Sequence, residues 1–188
     1  MNTELHPFAP FMPEGARVLI MGTFPPGKHR WCMDFYYPNP TNDFWRICGL
    51  LFFGDKNRLY DAESKRFKEE ECKKLMAEKH IALHDTAHEI RRLKGNASDK
   101  YLEIVTPTPI YDLLRELPDC RTIATTGEKA AGIVAELTGT PLPRIGEKET
   151  SADGLEIWRM PSTSRAYPLS LEKKAEYYRR LFHSVGII

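Results

Sequence analysis

The sequence predicts an α/β protein, a three-layer αβα sandwich with a mostly parallel central sheet. Two observations favour this fold class. Short apolar runs, which suit strands buried on both faces of a sheet, recur along the 188 residues. Helical patterns lie between these runs, and an alternation of strand and helix is typical of a parallel sheet covered by helices.

The apolar runs predict the strands. RVLIMGT (17–23) stops at a glycine that precedes two prolines, which indicates a buried strand followed by a loop. Four further segments have the same character and are predicted to be buried strands: HIALHDT (80–86), LEIVTPT (102–108), RTIATTG (121–127) and LEIWRMP (155–161).

Helices are predicted in the intervening segments, at 42–52, 61–79, 110–117, 128–137 and 170–183. The 61–79 helix is highly charged and should lie on the surface. The 128–137 helix is followed by Gly139, a residue type that favours a helix C-terminus. The last helix begins at Ser170, a good N-cap, and separates apolar from charged residues on opposite faces.

Composition places few limits on function. The length suits one domain over 1–188, with 1–16 as an N-terminal extension. The net charge of +1 neither indicates nor excludes nucleic acid, because a local basic patch decides such binding. The sequence has neither a membrane-spanning apolar run nor a signal-peptide pattern, so we expect a cytoplasmic protein, and we expect it to be a monomer.

Ligands of such sheets bind beyond the carboxyl ends of the strands. This rule brings together the segments GTFPPG (22–27), HDTAH (84–88), TPTP (106–109), TTGEK (125–129) and MPSTSRAY (160–167). The aromatic loop FYYPNPTNDFW (35–45) should overhang the same place.

Each segment alone also has a plain structural interpretation. GTFPPG is compatible with a strand-exit turn, and PSTS is compatible with a serine/threonine turn. TTGEK lacks the spacing of a phosphate-binding P-loop. His84 and His88 are spaced as metal ligands only on a helix, whereas a strand is predicted there, so neither a metal nor another cofactor is expected.

In combination, the segments GTFPP, YYPNPTNDFW, TTGEKA and MPSTSRAY resemble the uracil-DNA glycosylase superfamily. The resemblance covers about residues 17–182 and is strongest to the hypoxanthine-DNA glycosylase branch, near the mismatch-type members. Members of that branch carry a Gly-Ser-x-Pro first motif, then an aromatic residue, a proline and Asn-x-Phe-Trp, and later Pro-Ser-Thr-Ser.

The resemblance implies a monofunctional DNA glycosylase that extrudes a deaminated base, hypoxanthine and/or uracil, and hydrolyses its N-glycosidic bond. Its partner would be DNA that contains a damaged or deaminated base. The implied base-binding residues are Gly22, Thr23, Phe24, Tyr36, Tyr37 and Thr126. The implied DNA-binding residues are Pro25, Ser162, Thr163, Ser164, Arg165 and Tyr167.

The catalytic assignment departs from the common pattern. Many members carry Asn, Asp or Glu directly after the first glycine, where this chain has Thr23, which cannot act as a base. The asparagine of the hypoxanthine-type branch matches Asn42, which is also a good helix N-cap, and both roles are open. Asp43 and Asp34 are the reserve candidates for water activation. The aromatic loop has no lysine that could form a Schiff base, so lyase activity is not expected.

Two other interpretations remain. One is a catalytically inactive nucleic-acid-binding module on the same fold. Thr23 favours it, and so does Thr126, which stands in place of the usual asparagine before Gly127. Arg165 also stands where the branch has a proline, and it suits a phosphate contact or the gap left by a flipped base. The second alternative is a small-molecule or nucleotide-binding α/β enzyme unrelated to DNA.

Overall fold

The computed structural model describes residues 2–94 and 99–188. Ten strands are assigned in this part of the chain: β1 (Glu4–Leu5), β2 (Val18–Gly22), β3 (Tyr60–Asp61), β4 (Arg66–Phe67), β5 (Ile81–Asp85), β6 (Ala87–Arg92), β7 (Leu102–Pro107), β8 (Thr122–Thr126), β9 (Lys148–Thr150) and β10 (Glu156–Met160). The α-helices are α1 (Phe44–Phe53), α2 (Glu69–Glu78), α3 (Ile110–Arg115), α4 (Glu128–Thr138) and α5 (Leu171–Ser184).

The central sheet confirms the predicted fold class. Its strand order is β5-β2-β8-β10-β9, in which the first four strands are parallel and β9 is an antiparallel edge. Alternate residues of β2 enter two separate cores. Ile20 packs in the core that contains α1, α2 and α5, whereas Leu19 packs in the core that contains α3 and α4. Helices therefore cover both faces of the sheet.

A second, antiparallel sheet of order β1-β6-β7 corrects one strand prediction. The 102–108 segment was expected in the parallel sheet, buried on both faces. Instead β7 pairs with β6, and most of its side chains are half-buried or exposed; Val105 is 41% exposed. β6, β1 and β9 were not predicted, because each is short or rich in charged residues and lacks an apolar run.

The predicted 61–79 helix is also wrong over its first half. Only Glu69–Glu78 is helical, while β3 and β4 form a small hairpin. The side chain of Asp61 accepts hydrogen bonds from the backbone N–H groups of Glu63 and Ser64. Such local side-chain contacts compete with helix formation and favour a turn.

The other helix boundaries agree with prediction to within two residues. The Ser170 hydroxyl accepts the Lys173 N–H at 3.3 Å and caps α5, as predicted. Gly139 ends α4 in a left-handed conformation, with φ of 65°. Within residues 2–94 and 99–188, no helix has the length and apolar character that crossing a membrane requires.

Candidate active site

A cavity of about 510 Å³ lies at the carboxyl ends of the parallel strands. Gly22, Asp85 and Thr126 close its inner end from β2, β5 and β8. The loop that follows β10 and the loops around residues 24–30 and 37–42 complete the wall. The topology thus places the cavity where ligands of open α/β sheets bind.

Gly22 allows a close approach between the inner wall and its neighbours. A Cβ atom at this position would lie only 2.8 Å from Asp85 Oδ1, closer than real Cβ atoms come to other heavy atoms. Any larger residue would therefore displace the Asp85 carboxylate. Glycine is thus needed at this position for close packing against Asp85 rather than for an unusual backbone torsion.

Tyr37 is the aromatic residue of the 35–45 loop that lines the cavity. Its backbone has φ of 53°, an uncommon conformation for a residue with a bulky side chain. Its ring stacks on Phe44 at a centroid distance of 4.0 Å, and its hydroxyl lies 3.4 Å from Thr126 Oγ1. Burial, together with the Asp85 charge, raises the pKa of Tyr37, so the hydroxyl remains protonated and can donate.

Tyr36, the alternative stacking residue, does not line the cavity. It is 2% exposed, and its hydroxyl donates to the Ala9 carbonyl oxygen at 2.9 Å. The Trp45 indole N–H donates to the Tyr36 carbonyl oxygen, also at 2.9 Å. Tyr36 is therefore a core residue. Of the two tyrosines that were predicted to stack on the base, only Tyr37 lines the cavity.

Thr23, Phe24 and Pro25 follow β2 and all line the cavity. The Thr23 hydroxyl donates to Asp99 Oδ2 at 2.8 Å. Burial raises the pKa of the Asp99 carboxyl; the Asp85 charge acts in the same direction, whereas the Thr23 hydrogen bond opposes it.

Asn42 lies on the cavity wall and is half-buried. Its Oδ1 accepts the backbone N–H of Phe44, the first residue of α1, at 2.9 Å. It also forms an antiparallel bridge with Ser164, which joins the two loops of the rim. The N-cap residue of α1 is Asp43, which makes no side-chain cap bond, so Asn42 stands one residue before the cap position predicted for it. Its side chain still satisfies the first N–H of α1, and Asn42 lines the cavity.

Asp43 and Asp34, the reserve candidates, do not line the cavity. Asp43 is buried, with Oδ2 2.9 Å from Lys174 Nζ and Oδ1 3.4 Å from Arg165 Nε. Asp34 is exposed on the surface, where its backbone N–H donates to Glu69 Oε2 at 3.1 Å. Because neither carboxylate reaches the cavity, we give neither a role in water activation.

The loop after β10 supplies much of the rim, through Ser162, Thr163, Ser164 and Ala166. Arg165 and Tyr167, both predicted DNA contacts, lie outside the cavity wall. Arg165 is half-exposed and donates its backbone N–H to the Thr41 carbonyl oxygen at 3.2 Å. The loop thus directs small polar residues inward and the arginine outward.

Several cavity residues were missed by the sequence reasoning: Arg30, Pro38, Asn39, Thr41, Asp85, Asp99 and Lys100. Asp85 carried a usable signal, because it ends a predicted buried strand beside two histidines that drew attention first. His6 was also missed. Its Nε2 lies 2.8 Å from Asp85 Oδ2, although 79 positions separate the two residues in the sequence.

Comparison with known proteins points to one fold. No family model and no curated protein matches the sequence. The solution NMR structure of a "putative Uracil DNA glycosylase" from Methanosarcina acetivorans does match, with a TM-score of 0.64 and 22% identity over 96% of this chain and 98% of that one. The two proteins share a fold. At this level of identity the likeness establishes the architecture alone.

The cavity offers hydroxyl, amide and carboxylate groups rather than a metal centre. Among the residues that the structure describes, no group of three or more His, Cys, Asp or Glu side chains is arranged to hold a metal ion. These groups can accept or donate hydrogen bonds and hold water, and the Tyr37 ring can stack on a flat ligand.

Proposed function

We propose that the protein is a DNA glycosylase that removes a deaminated base, hypoxanthine and/or uracil, by base flipping and hydrolysis of the N-glycosidic bond. The observation that carries the proposal is the cavity at the strand ends, with the Tyr37 ring on its wall and hydroxyl-bearing residues on its rim. A volume of about 510 Å³ accommodates an extruded nucleotide. The shared fold described above supports the same activity.

Tyr37 supplies the stacking surface for the extruded base. Because Phe44 supports one side of its ring at 4.0 Å, the aromatic platform is rigid before the base arrives. Stacking of a base on an aromatic side chain contributes roughly 1–3 kcal/mol, which offsets part of the cost of unstacking the duplex. The stacking role explains Tyr37 only, because Phe35, Tyr36 and Trp45 of the same turn are buried in the core.

The rim is suited to hold the DNA backbone. Ser162 and Ser164 offer hydroxyl groups, and Pro25 and Pro26 make a stiff opposite lip. Arg30 and Lys100 add positive charge to the rim. Contacts of this kind to phosphates position a nucleic acid without reading its sequence.

Hydrolysis requires a water molecule held against C1′ of the sugar. Asn42 is the predicted residue for this role and lies on the half-buried part of the wall. Its Oδ1 is engaged by the Phe44 N–H, but a carbonyl oxygen has a second lone pair that can accept from water.

We propose a monofunctional enzyme without lyase activity. Segment 35–45 has no lysine, and the Nζ atom of Lys100, on the rim, lies over the Tyr101 ring at 5.8 Å from its centroid. A Schiff base with the sugar would need an amine directed at C1′. Borohydride treatment during turnover should trap no covalent complex with DNA, and a trapped complex would contradict this part of the proposal.

The decisive test is single-turnover base release. Oligonucleotides with one deoxyuridine or one deoxyinosine, single- and double-stranded, are incubated with excess protein and then treated with alkali to cut abasic sites. We expect strand cleavage with at least one substrate and none with undamaged DNA. Intact strands together with salt-dependent DNA binding would favour the inactive binding module that Thr23 and Thr126 suggest.

A small-molecule enzyme is the other alternative, and DNA binding separates it from our proposal. A glycosylase should bind DNA with an affinity that falls steeply as salt rises, because Lys and Arg release counterions from phosphates.

We further propose that residues 1–188 act as one domain, as a cytoplasmic monomer. Size-exclusion chromatography with light scattering tests the oligomeric state.

A further inference from the structure

Three side-chain oxygens converge at the inner end of the cavity. Asp85 Oδ1, Thr126 Oγ1 and the Tyr37 hydroxyl lie 2.8, 3.4 and 3.7 Å from the point where a Cβ atom on Gly22 would stand. Asp85 is only 5% exposed and Thr126 only 7% exposed, whereas Thr41 and Ser164 on the rim are exposed. The end of the cavity that adjoins the strands is therefore polar, and Asp85 supplies a carboxylate there.

His6 holds this carboxylate in place. Its Nε2 lies 2.8 Å from Asp85 Oδ2, and the two side chains are 2% and 8% exposed. An ionised carboxylate only accepts hydrogen bonds, so Nε2 is the donor in this contact. The contact with His6 involves Oδ2, whereas Oδ1 points to the position that a Cβ atom on Gly22 would take.

The N-terminal segment fixes His6 itself. The His6 backbone N–H donates to the His88 carbonyl oxygen at 2.8 Å, next to the pairing of β1 with β6. Its ring packs against Phe24 at 5.2 Å and His84 at 4.6 Å between centroids. The segment expected to be an extension thus contributes a buried imidazole that contacts Asp85, a residue of the cavity wall.

The depth of Asp85 determines which part of a nucleotide it can meet. An extruded nucleotide remains linked to its strand through the sugar, so C1′ stays towards the rim and the far edge of the base enters first. Asp85 therefore faces the pairing edge of the base, whereas Asn42, nearer the rim, faces the sugar. The two residues have separate tasks.

Deamination changes the hydrogen-bonding character of that edge. Uracil carries N3–H and hypoxanthine carries N1–H, both donors. Cytosine N3 and adenine N1, at the same ring positions, are acceptors. A carboxylate aligned with this ring nitrogen accepts from the first pair and repels the lone pair of the second, and a site that leaves buried polar groups unpaired rejects a ligand strongly. Thymine and guanine carry the same ring N–H, so this contact separates a deaminated base from its own precursor, cytosine or adenine.

We propose that Asp85, positioned by His6, reads the ring N–H that deamination creates and thereby excludes cytosine and adenine. The hydroxyls of Tyr37 and Thr126 lie beside Asp85 and can donate to the adjoining carbonyl oxygen of the base. Asp85 is a specificity-determining residue and His6 a positioning residue. This inference rests on the proposed function and assigns the substrate class of the same site.

The test compares base release from deoxyuridine and deoxyinosine with release from N3-methyldeoxyuridine and N1-methyldeoxyinosine, which lack the ring N–H. Single-turnover rates and DNA affinities are measured separately for the wild type and for Asp85→Ala, Asp85→Asn, His6→Ala and His6→Gln. His88→Ala is the control, because this exposed histidine on β6 lies outside the cavity wall. Thermal melting checks that each variant folds.

We expect the wild type to release an unmodified base about 100-fold or more faster than its methylated counterpart. Asp85→Ala should slow release of the unmodified base by about 100-fold and shrink this discrimination about tenfold, with nearly unchanged DNA affinity. Asp85→Asn retains a carbonyl acceptor and should keep part of the release rate and part of the discrimination against the methylated base. His6→Ala should lower both rate and discrimination, and His6→Gln, which can still donate to Oδ2, should restore most of each.

The outcomes separate this inference from the proposed function. Base release by the wild type, with rate and discrimination unchanged in both Asp85 variants, would overturn the inference and leave the function standing. A lower rate in His6→Ala with unchanged discrimination would make His6 a structural residue only. Failure of the wild type to release any base would overturn the function, and the inference would fall with it.

Discussion

Lys174 Nζ lies 2.9 Å from Asp43 Oδ2, and the lysine side chain is completely buried. The same ammonium group donates to the Ser164 carbonyl oxygen at 2.8 Å. The Asp43 backbone N–H in turn donates to the Thr163 carbonyl oxygen at 2.7 Å. One ion pair thus connects α5, the start of α1 and the rim loop that we propose to contact DNA.

Lys174→Met should therefore destabilise the protein strongly. The variant keeps the length of the side chain but leaves the buried Asp43 carboxylate without its nearest cation. Breaking one side of a buried pair costs about 3–5 kcal/mol, and urea denaturation should show a loss of this size. The double variant Asp43→Asn with Lys174→Met should recover part of the loss, because no uncompensated charge remains. A double variant as unstable as the sum of the single ones would contradict this account.

Removal of the Tyr37 ring should weaken recognition of the extruded base. For Tyr37→Ala we expect DNA with a deaminated base to bind with about 1–3 kcal/mol less free energy, roughly 5- to 150-fold weaker. Affinity for undamaged DNA should change little. Tyr37→Phe retains the stacking surface and is the matched control. Equal affinity of the alanine and phenylalanine variants for damaged DNA would remove Tyr37 from the proposed site.

Asn42 has two separable roles, and substitutions can distinguish them. Asn42→Ala removes both the side-chain bond to the first N–H of α1 and the proposed water contact, so it should lose about 1 kcal/mol of stability and most base release. Asn42→Ser retains an oxygen that can cap the helix and should restore stability without restoring the rate. If instead turnover per folded molecule survives in Asn42→Ala, the residue only caps the helix.

The parallel sheet could be predicted because each of its buried strands is an apolar run that does not depend on distant residues. β2, β5, β8 and β10 all follow this rule. The prediction failed for β7, whose residues include an exposed valine. Its pairing with β6 depends on main-chain hydrogen bonds that any residue except proline can donate, so the sequence carries little sign of it.

The cavity was predictable only in part, for a related reason. Gly22, Thr126 and Ser162 follow predicted strands, so topology alone brings them together. His6 and Asp99 reach the site through partners 79 and 76 positions away in the chain. No local sequence pattern indicates which residues form such distant pairs. The geometry also decided between residues that looked equivalent in the sequence, since Tyr37 lines the cavity and Tyr36 lies in the core.

Stability should fall in mild acid because of His84. Burial lowers its pKa to about 4, and His6 and His88 add to this effect while Asp85 opposes it. In the unfolded chain a histidine takes up its proton near pH 6.5. Between about pH 6.5 and 4 the unfolded state thus binds more protons, so His84 contributes its full stabilisation above this window and loses it as the pH falls.

The expected loss from His84 is about 3 kcal/mol between pH 7 and 4, on top of the losses from other groups. Urea denaturation at pH 7, 6, 5 and 4 measures it when the wild type is compared with His84→Gln. Glutamine does not titrate, and its amide N–H can still donate to the Tyr36 hydroxyl, which lies 2.7 Å from His84 Nδ1 and itself donates to the Ala9 carbonyl oxygen. The variant should therefore show a shallower pH dependence, whereas His183→Ala, which changes an exposed histidine, should follow the wild type. Parallel curves for wild type and His84→Gln would show that His84 does not control stability in acid.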